Sequence, residues 1–462
     1  MESRGARTRC PECQRLRERV TELEAKLAAA QKHSGNSSKP PSSDIVKPPK
    51  LRLKGKKKRK RGGQVGHPRH DRPLFPPEQI DKTWDHTLDY CPDCHGPLEE
   101  TDDLPRIVQQ VEIVTKPIRV EEHRGLAYWC SSCQRRHYAS VPAEVTKAGL
   151  AGPRLTALVG FLKGACHCSF STIRKFLRDV VGLTLSRSYL ADLVQKVSAS
   201  LAKTYQELFE ALPGEARLNI DETGHRDWGQ RMWTWCFRAS LFTLFRIDPS
   251  RGSDVLINVL GTEFNGLIGC DYFSAYRKYM KDFNVAVQFC LAHLIRDVKF
   301  LVEHPVPANR RYGKMLLEHL RKLFGIIHSR ELYASDVGFR CALAAARDDL
   351  VGDALVHLPK TIKAGNLADR FVNHMDSYFR FITTPNVEPT NNLAEQAIRF
   401  VAIHRRLTQG TRGPAGQRWC ERIWTVVATC GQQARSVFNF LYDAVEAFFQ
   451  GRPAPSLLSD TT

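Results

Sequence analysis

Between residues 216 and 290 the hydrophobic pattern changes period in an order that few folds accommodate. Ala216 to Asp221, Met232 to Arg238 and Leu241 to Ile247 are apolar or alternating runs of strand length. Gly252 to Leu260 has helical spacing, Gly266 to Asp271 is a fourth strand, a helix begins near Ser274, and Val285 to Cys290 is a fifth strand. Three strands, a helix, a strand, a helix and a strand require a core strand to feed a helix and return parallel to the sheet.

That is the element order of an RNase H-like domain, in which the first and fourth strands lie side by side. Asp221 on the first strand and Asp271 at the end of the fourth can then meet despite the sequence gap. A third acid, Glu395, lies in a helix start that reads Asn391-Asn392-Leu393-Ala394-Glu395, and would come from a later helix packed on the same sheet. Residues 291–384, between them, read as a large helical insertion. Each acid alone has a structural explanation. Asp221 can cap a turn before Glu222-Thr223-Gly224, and Asp271 can cap the helix near Ser274. Glu395 can close a capping box on Asn392 or pair with Arg399 one turn on. Together, at fitting positions in one fold order, the three point to a site for hard divalent cations, which take carboxylate oxygens from rigid elements. Glu388, beside Pro389 in a loop-like stretch, is the rival for the third position.

The rest of the chain is modular. Its 462 residues suffice for two or more domains, and a net charge of +19, unevenly spread, favours a polyanionic partner, most simply nucleic acid. The charge is densest in Lys56, Lys57, Lys58, Arg59, Lys60 and Arg61, within a Ser-, Pro- and Lys-rich segment that reads as a flexible linker. Such a run stays extended and neutralises phosphates without reading sequence. Of the 14 cysteines, six form Cys-x-x-Cys pairs, which points to a reducing compartment and metal ligation rather than disulfides. Cys91 and Cys94, with Cys130 and Cys133, can supply four thiolates to a structural Zn²⁺ in a zinc-ribbon-like segment, with a strand hairpin between the pairs and His95 and His137 as spare ligands. Cys10 and Cys13 stay unassigned. Leu16, Val20, Leu23 and Leu27 form a seam of about two heptads, either a dimer contact or a short helix packed on its own chain. Residues 171–180 and 186–197 are helices joined at Gly182, similar to a helix-turn-helix, with Arg187, Ser188 and Tyr189 at the exposed start of the second. No uncharged apolar stretch is long enough to span a bilayer.

Several segments carry a closer resemblance. They are Ser34-Gly35-Asn36-Ser37-Ser38-Lys39-Pro40-Pro41-Ser42-Ser43-Asp44, the zinc-type cysteines, Asp221-Glu222-Thr223, Cys290-Leu291-Ala292-His293, Asn391 to Arg399, and Thr425-Val426-Val427-Ala428-Thr429-Cys430. Over almost its whole length the chain resembles transposases of the insertion-sequence-66 family, a branch of the DDE transposases. The Asn-Asn-x-Ala-Glu segment is the most specific of these. Leu291 stands where the family has an aromatic residue, and Gln396 where it more often has Arg; neither is a proposed metal ligand.

The resemblance implies a DDE mechanism. Two Mg²⁺ (or Mn²⁺) ions would be held by Asp221, Asp271 and Glu395, a water would nick the element's end, and the freed 3′-hydroxyl would attack target DNA. Arg399, Arg405 and Arg406, with His404, would hold backbone near the site or form a solvated helix face, and Trp233 or Trp235 could stack on a base, with one of the two in the core. The implied partners are the element's terminal repeats, target DNA, a homodimer or higher oligomer in the synaptic complex, and accessory proteins of the same element. The implied location is the bacterial cytoplasm, on the nucleoid when DNA is bound. The expected architecture is a multidomain α/β chain. It has an N-terminal helix or short coiled coil (1–33), a basic disordered linker (34–84), a zinc-binding domain (85–145) and a helical helix-turn-helix-like domain (150–205). An RNase H-like DDE catalytic domain (206–400) with its insertion (291–384) and a C-terminal helical region (401–462) follow. The rival readings are a zinc- and helix-turn-helix-containing regulator with an inactive catalytic domain, and an RNase H-like nuclease that cuts without joining.

Overall fold

The computed structural model describes residues 11–30, 32, 36, 74–84, 86, 93–97, 107–111, 114 and 117–458. The chain divides into two compact units, residues 49–121 and residues 1–48 with 122–462. In the smaller unit the Gln109 side chain brackets Phe75, accepting its N–H at 2.6 Å and donating to its carbonyl at 3.0 Å. The Lys82 ammonium lies 3.6 Å from the centre of the Trp84 ring.

In the larger unit α1 spans Pro11–Ala30. Its apolar seam is not packed on its own chain: Leu16, Val20, Leu23 and Leu27 are 49% to 61% exposed. β1 (Ala127–Cys130) and β2 (Arg135–Tyr138) form an antiparallel hairpin. Here the expectation needs correcting. The hairpin does not lie between the cysteine pairs but wraps the second one, with Cys130 ending β1 and Cys133 in the turn. Residues 107–111, 114 and 117–126 form no strand; Leu126 only accepts the Ala139 N–H at 2.9 Å beyond the open end of the hairpin.

A helical layer follows: α2 (Ala143–Ala148), α3 (Pro153–Gly164), α4 (Phe170–Phe176), α5 (Arg187–Ser200) and α6 (Ala202–Ala211). Ser169 and Ser186 cap α4 and α5 by accepting the N–H groups of Thr172 and Tyr189. Between these helices the chain makes one wide turn over Leu177–Val181 and closes at Gly182, whose φ of 76° suits glycine.

The central sheet holds β3 (Arg217–Asp227), β4 (Gln230–Arg238), β5 (Thr243–Asp248), β6 (Leu267–Cys270) and β7 (Ala286–Phe289), with α7 (Ser253–Leu260) and α8 (Ser274–Phe283) as connections. Its order is β5-β4-β3-β6-β7. The first three strands pair antiparallel, and β3 with β6 and β6 with β7 pair parallel. The β3–β4 hairpin turns on Trp228 and Gly229, both at positive φ (49° and 80°), as a tight two-residue hairpin turn requires.

Four helices, α9 (Leu291–Val302), α10 (Pro307–His328), α11 (Asp336–Val356) and α12 (Ile362–Thr383), separate β7 from α13 (Asn392–Thr408). α14 (Pro414–Gln432) and α15 (Val437–Phe449) close the fold. α12 packs on β7, α13 on β3, and α14 on β5. α14 also satisfies the open edge of β5. The N–H groups of Thr243, Phe245 and Ile247 donate to Thr429 Oγ1, Thr425 Oγ1 and Glu421 Oε1 at 3.1, 3.0 and 2.8 Å. Alternate strand residues rise about 6.6 Å and every fourth helix residue about 6 Å, so the two ladders match over three rungs. An edge covered this way has no free ladder for another chain to join. No described helix is long and apolar enough to cross a membrane.

Candidate active site

β3 and β6 share a parallel register with Arg217 opposite Leu267, Leu218 opposite Ile268 and Asn219 opposite Gly269. Asp221 follows Asn219 by the same offset at which Asp271 follows Gly269. Side chains alternate faces along a strand, so both aspartates leave the sheet on one side, at the carboxyl end of a parallel pair. Ligands of open α/β sheets collect at such ends. Asp221 is not at a strand end, however. β3 continues to Asp227 because its residues past Asn219 part from β6 but stay paired with β4, Asp221 opposite Cys236. Asp221 thus sits mid-strand, just beyond a fork. At the last paired position Gly269 leaves room for the Asn219 side chain, since a Cβ there would stand 2.5 Å from Asn219 Nδ2.

Asn391 brings the third acid. Its Nδ2 donates to the Ile220 carbonyl at 2.8 Å, and its Oδ1 accepts from Asn219 Nδ2 at 2.9 Å. Its backbone N–H donates to Cys290 Sγ at 3.1 Å. Glu395 follows one turn later. The capping box on Asn392 does not form: Asn391 is the N-cap and no side chain caps the helix. Glu395 does not pair with Arg399 either. Arg296 of α9 reaches it first, Nη2 to Oε2 at 3.2 Å, and Arg399 stays exposed.

The cluster is rich in negative charge. Burial pushes the Asp221 carboxyl well up, and Glu222, Asp271 and Glu395 push it further. Asp271 is pushed up to about 6, by burial and then by Glu222, against the pull of His293, the Phe273 N–H and Arg251. Glu222 is buried too, but it accepts from Arg251 and from the Tyr276 hydroxyl, the latter at 2.6 Å. Among the described residues Asp221 and Asp271 accept only backbone N–H groups, those of Glu222 and Phe273, each at 2.9 Å.

His293 completes the surroundings. Burial holds its pKa below the ordinary value. Its Nε2 accepts from Arg296 Nη1 at 3.1 Å, and its Nδ1 lies 3.6 Å from Glu395 Oε1. Neither Nδ1 nor Oε1 has a hydrogen-bond partner among the described residues. Cys290, His293 and Glu395 each offer a ligand atom within 4.8 Å of the others, the one such group among the described residues, and it includes neither aspartate. Sequence reasoning gave Cys290 and His293 no metal role; the Cys-x-x-His spacing was the available signal. Two aspartates without a cationic partner, their ionisation suppressed by burial and by like charge, beside an orphaned carboxylate oxygen, fit a divalent cation.

The other expected residues are dispersed. Arg187 is exposed at the start of α5, but Tyr189 is half-buried, its hydroxyl accepting the Ala151 N–H at 3.0 Å. Arg406 is exposed, and Arg405 is half-buried and donates to Thr223 Oγ1 at 3.1 Å. His404 is buried with Nδ1 3.1 Å from that of His167, so it faces no DNA. Trp235 is core, and Trp233 lies under Arg231 and Arg251. On the β3–β4 hairpin the exposed indole belongs to Trp228, which sequence reasoning passed over; Trp84 and Trp129 are exposed elsewhere. Cys94 and Cys133 are exposed thiols, Cys130 is half-buried, and Cys133 Sγ lies 3.3 Å from His137 Nε2. Lys56 to Arg61 and Cys91, and with Cys91 the expected four-thiolate set, lie outside the described residues.

Fold and site define an α/β protein with a carboxylate cluster suited to divalent cations at the carboxyl end of a mixed sheet. Residues 148–418, more than half the chain, match the IS66 family of transposases, and the chain belongs to that family. Residues 8–73 match a family of unknown function. The chain is 23% identical over 385 residues to the uncharacterized protein y4qI of Sinorhizobium fredii, covering 76% of this chain and 69% of that protein. It is 23% identical over 360 residues to the uncharacterized protein y4hP of the same organism, covering 70% and 64%.

Proposed function

We propose that the chain is a DNA transposase that nicks the ends of its insertion sequence and joins the freed 3′-hydroxyl to target DNA, with Asp221, Asp271 and Glu395 as its DDE acids. The observation that carries this reading is the equal offset of the two aspartates beyond the last paired residues of β3 and β6. The strand order, with α9 to α12 inserted before the helix of the third acid, supports an RNase H-like core. Mg²⁺ or Mn²⁺ on these acids would supply Lewis-acid activation of the attacking oxygen and charge relief for the leaving one. Asp221 and Asp271 present oxygens that no side chain occupies. Arg296 neutralises Glu395 and holds it beside them. No covalent enzyme intermediate is needed, because water and then a DNA hydroxyl serve as nucleophiles.

Arg187, Arg399, Arg405, Arg406 and the run Lys56 to Arg61 would neutralise phosphates of the element's ends and target. The exposed seam of α1 supports self-association through a short coiled coil. Structural Zn²⁺ on the paired cysteines belongs to the same reading.

The test is Mg²⁺-dependent nicking and strand transfer on a duplex carrying the element's end, with wild type and Asp271→Asn side by side. Products from wild type alone support the proposal. Cleavage without joining favours a nuclease. Specific binding without chemistry, with accessory proteins supplied, favours a regulator.

A further inference from the structure

At the far end of β3 from its parallel neighbour, the hairpin tip is clasped to the loop after α13. The N–H of Trp228 donates to the Thr411 carbonyl at 3.1 Å, and the N–H of Thr411 to the Arg226 carbonyl at 2.9 Å. Asp227 Oδ1 accepts the Thr411 hydroxyl at 2.7 Å and the Gly413 N–H at 2.8 Å. Thr411 Oγ1 also lies 3.0 Å from His225 Nε2. Gly410 sits at φ 108°, and a Cβ there would stand 2.1 Å from the Arg226 carbonyl oxygen, so only glycine lets the two backbones close.

This clasp frames a cavity of about 530 Å³, lined among others by Arg226, Trp228, Arg405 and Arg412. None of the three arginines is ion-paired among the described residues. Asp227, next to Arg226 in the chain, is already bonded to Thr411 and Gly413. Trp228 is 70% exposed although it is the largest side-chain type, and the clasp holds its backbone at φ 49°. The indole, kept in water, lines the same pocket as three guanidinium groups, an arrangement that suits ligand binding. An aromatic face with cations around it recognises a base and its phosphate. The cavity is of small-ligand size.

The pocket is also connected to the acids. Asp221, Thr223 and His225 share one face of β3 by alternation, Arg405 bonds Thr223, and His225 bonds Thr411. At about 3.3 Å per residue, Trp228 lies roughly 20 Å along the strand from Asp221, a reach of several nucleotides.

We propose that this pocket holds one unpaired nucleotide of the DNA strand, its base stacked on Trp228 and its phosphate on Arg226, Arg405 and Arg412. A base inside a duplex has no free face for the indole, so the nucleotide is an unpaired one, at an end or beside a nick. The inference rests on the proposed reading of the chain as a DNA-handling enzyme.

The test uses the full chain and two duplexes of the same arbitrary sequence, one blunt and one with a two-nucleotide 3′ overhang containing 2-aminopurine. Wild type binds the overhang duplex about tenfold tighter than the blunt one, and binding quenches the 2-aminopurine emission. Trp228→Ala removes the preference and the quench, and Trp228→Phe restores part of both. Blunt-duplex affinity of Trp228→Ala serves as the control for folding and general DNA binding. A preference and quench that survive Trp228→Ala overturn the proposal, as does equal binding of both duplexes by wild type without a quench. Binding of neither duplex overturns the underlying DNA reading instead. Trp228-dependent binding of free 2-aminopurine deoxynucleoside monophosphate without duplex binding assigns the pocket to a free nucleotide and overturns its role on a DNA strand.

Discussion

Asn391 donates its side-chain amide to the Ile220 carbonyl across 2.8 Å, one residue before the first acid of the site. The same amide accepts from Asn219, so one side chain sets the start of α13 on β3 and thereby the position of Glu395. Asn391 is 2% exposed, and water cannot take over these bonds.

Asn391→Ala is therefore expected to cost about 1–3 kcal/mol of stability, by leaving a buried carbonyl and the Asn219 amide unpaired. Nicking should fall further than stability accounts for, because Glu395 loses its anchor. Urea unfolding and nicking rates at a temperature where the variant is fully folded separate the two effects. A stable variant with unimpaired nicking would show that Asn391 does not position the acid.

Asp271 has a folded value of about 6 against an ordinary 3.8. The metal-free native state then binds the proton that the unfolded chain releases between these values. The contribution of Asp271 to stability accordingly is greatest below about 3.8 and falls as pH rises through about 6. Asp271→Asn should remove this dependence and stabilise the metal-free protein at pH above that window, by on the order of 1–3 kcal/mol. The gain should vanish well below the window. Added Mg²⁺ should stabilise wild type and not the variant, since the cation competes with the proton. Denaturant melts at both ends of the range, with chelator and with Mg²⁺, measure this; a gain independent of pH would contradict it.

The Thr425 hydroxyl accepts the Phe245 N–H from a site with no exposure at all. Thr425→Val keeps the volume but leaves that N–H unpaired, and should destabilise by about 1–3 kcal/mol. Thr425→Ser keeps the acceptor and should retain most of the stability. Thermal unfolding of the two variants decides the matter. A valine as stable as the serine would mean that the edge of β5 does not depend on α14 for its hydrogen bonds.

Leu23 on α1 is 51% exposed within the chain and lies in the seam with Leu16, Val20 and Leu27. Leu23→Lys should convert a self-associated wild type to a lower oligomer without shifting the melting of the sheet domain. Sedimentation equilibrium of both proteins reads this directly. A wild type that is monomeric at every concentration would rule out the seam as a contact.

Much of the site was legible from local pattern. The alternation before Asp221, the short apolar run before Asp271 and the helical period after Asn391 located the three candidate acids and the elements that carry them. What local pattern misjudged was partnership. Arg399 stands one turn from Glu395, where helix rules place a partner, yet Arg296 from another helix holds the carboxylate. Asp221 looked like a strand end because the apolar run stops there, whereas the ladder with β4 carries β3 on to Asp227. Trp233 and Trp235 looked like the stacking candidates, but Trp235 is buried against Phe237 and Tyr276 and Trp233 lies under Arg231 and Arg251, whereas the hairpin turn left Trp228 exposed.

The sequence by itself determined the order of the sheet strands and their connecting helices, the candidate acids and the family motifs, because hydrophobic period and motif spacing are properties of neighbouring residues. Only the tertiary structure decided which groups meet. Asn391 and Ile220 are 171 residues apart, Thr425 and Phe245 180, and Arg405 and Thr223 182. Their contacts are fixed by sheet register and by the seating of α13 and α14 on it, and no local period encodes either.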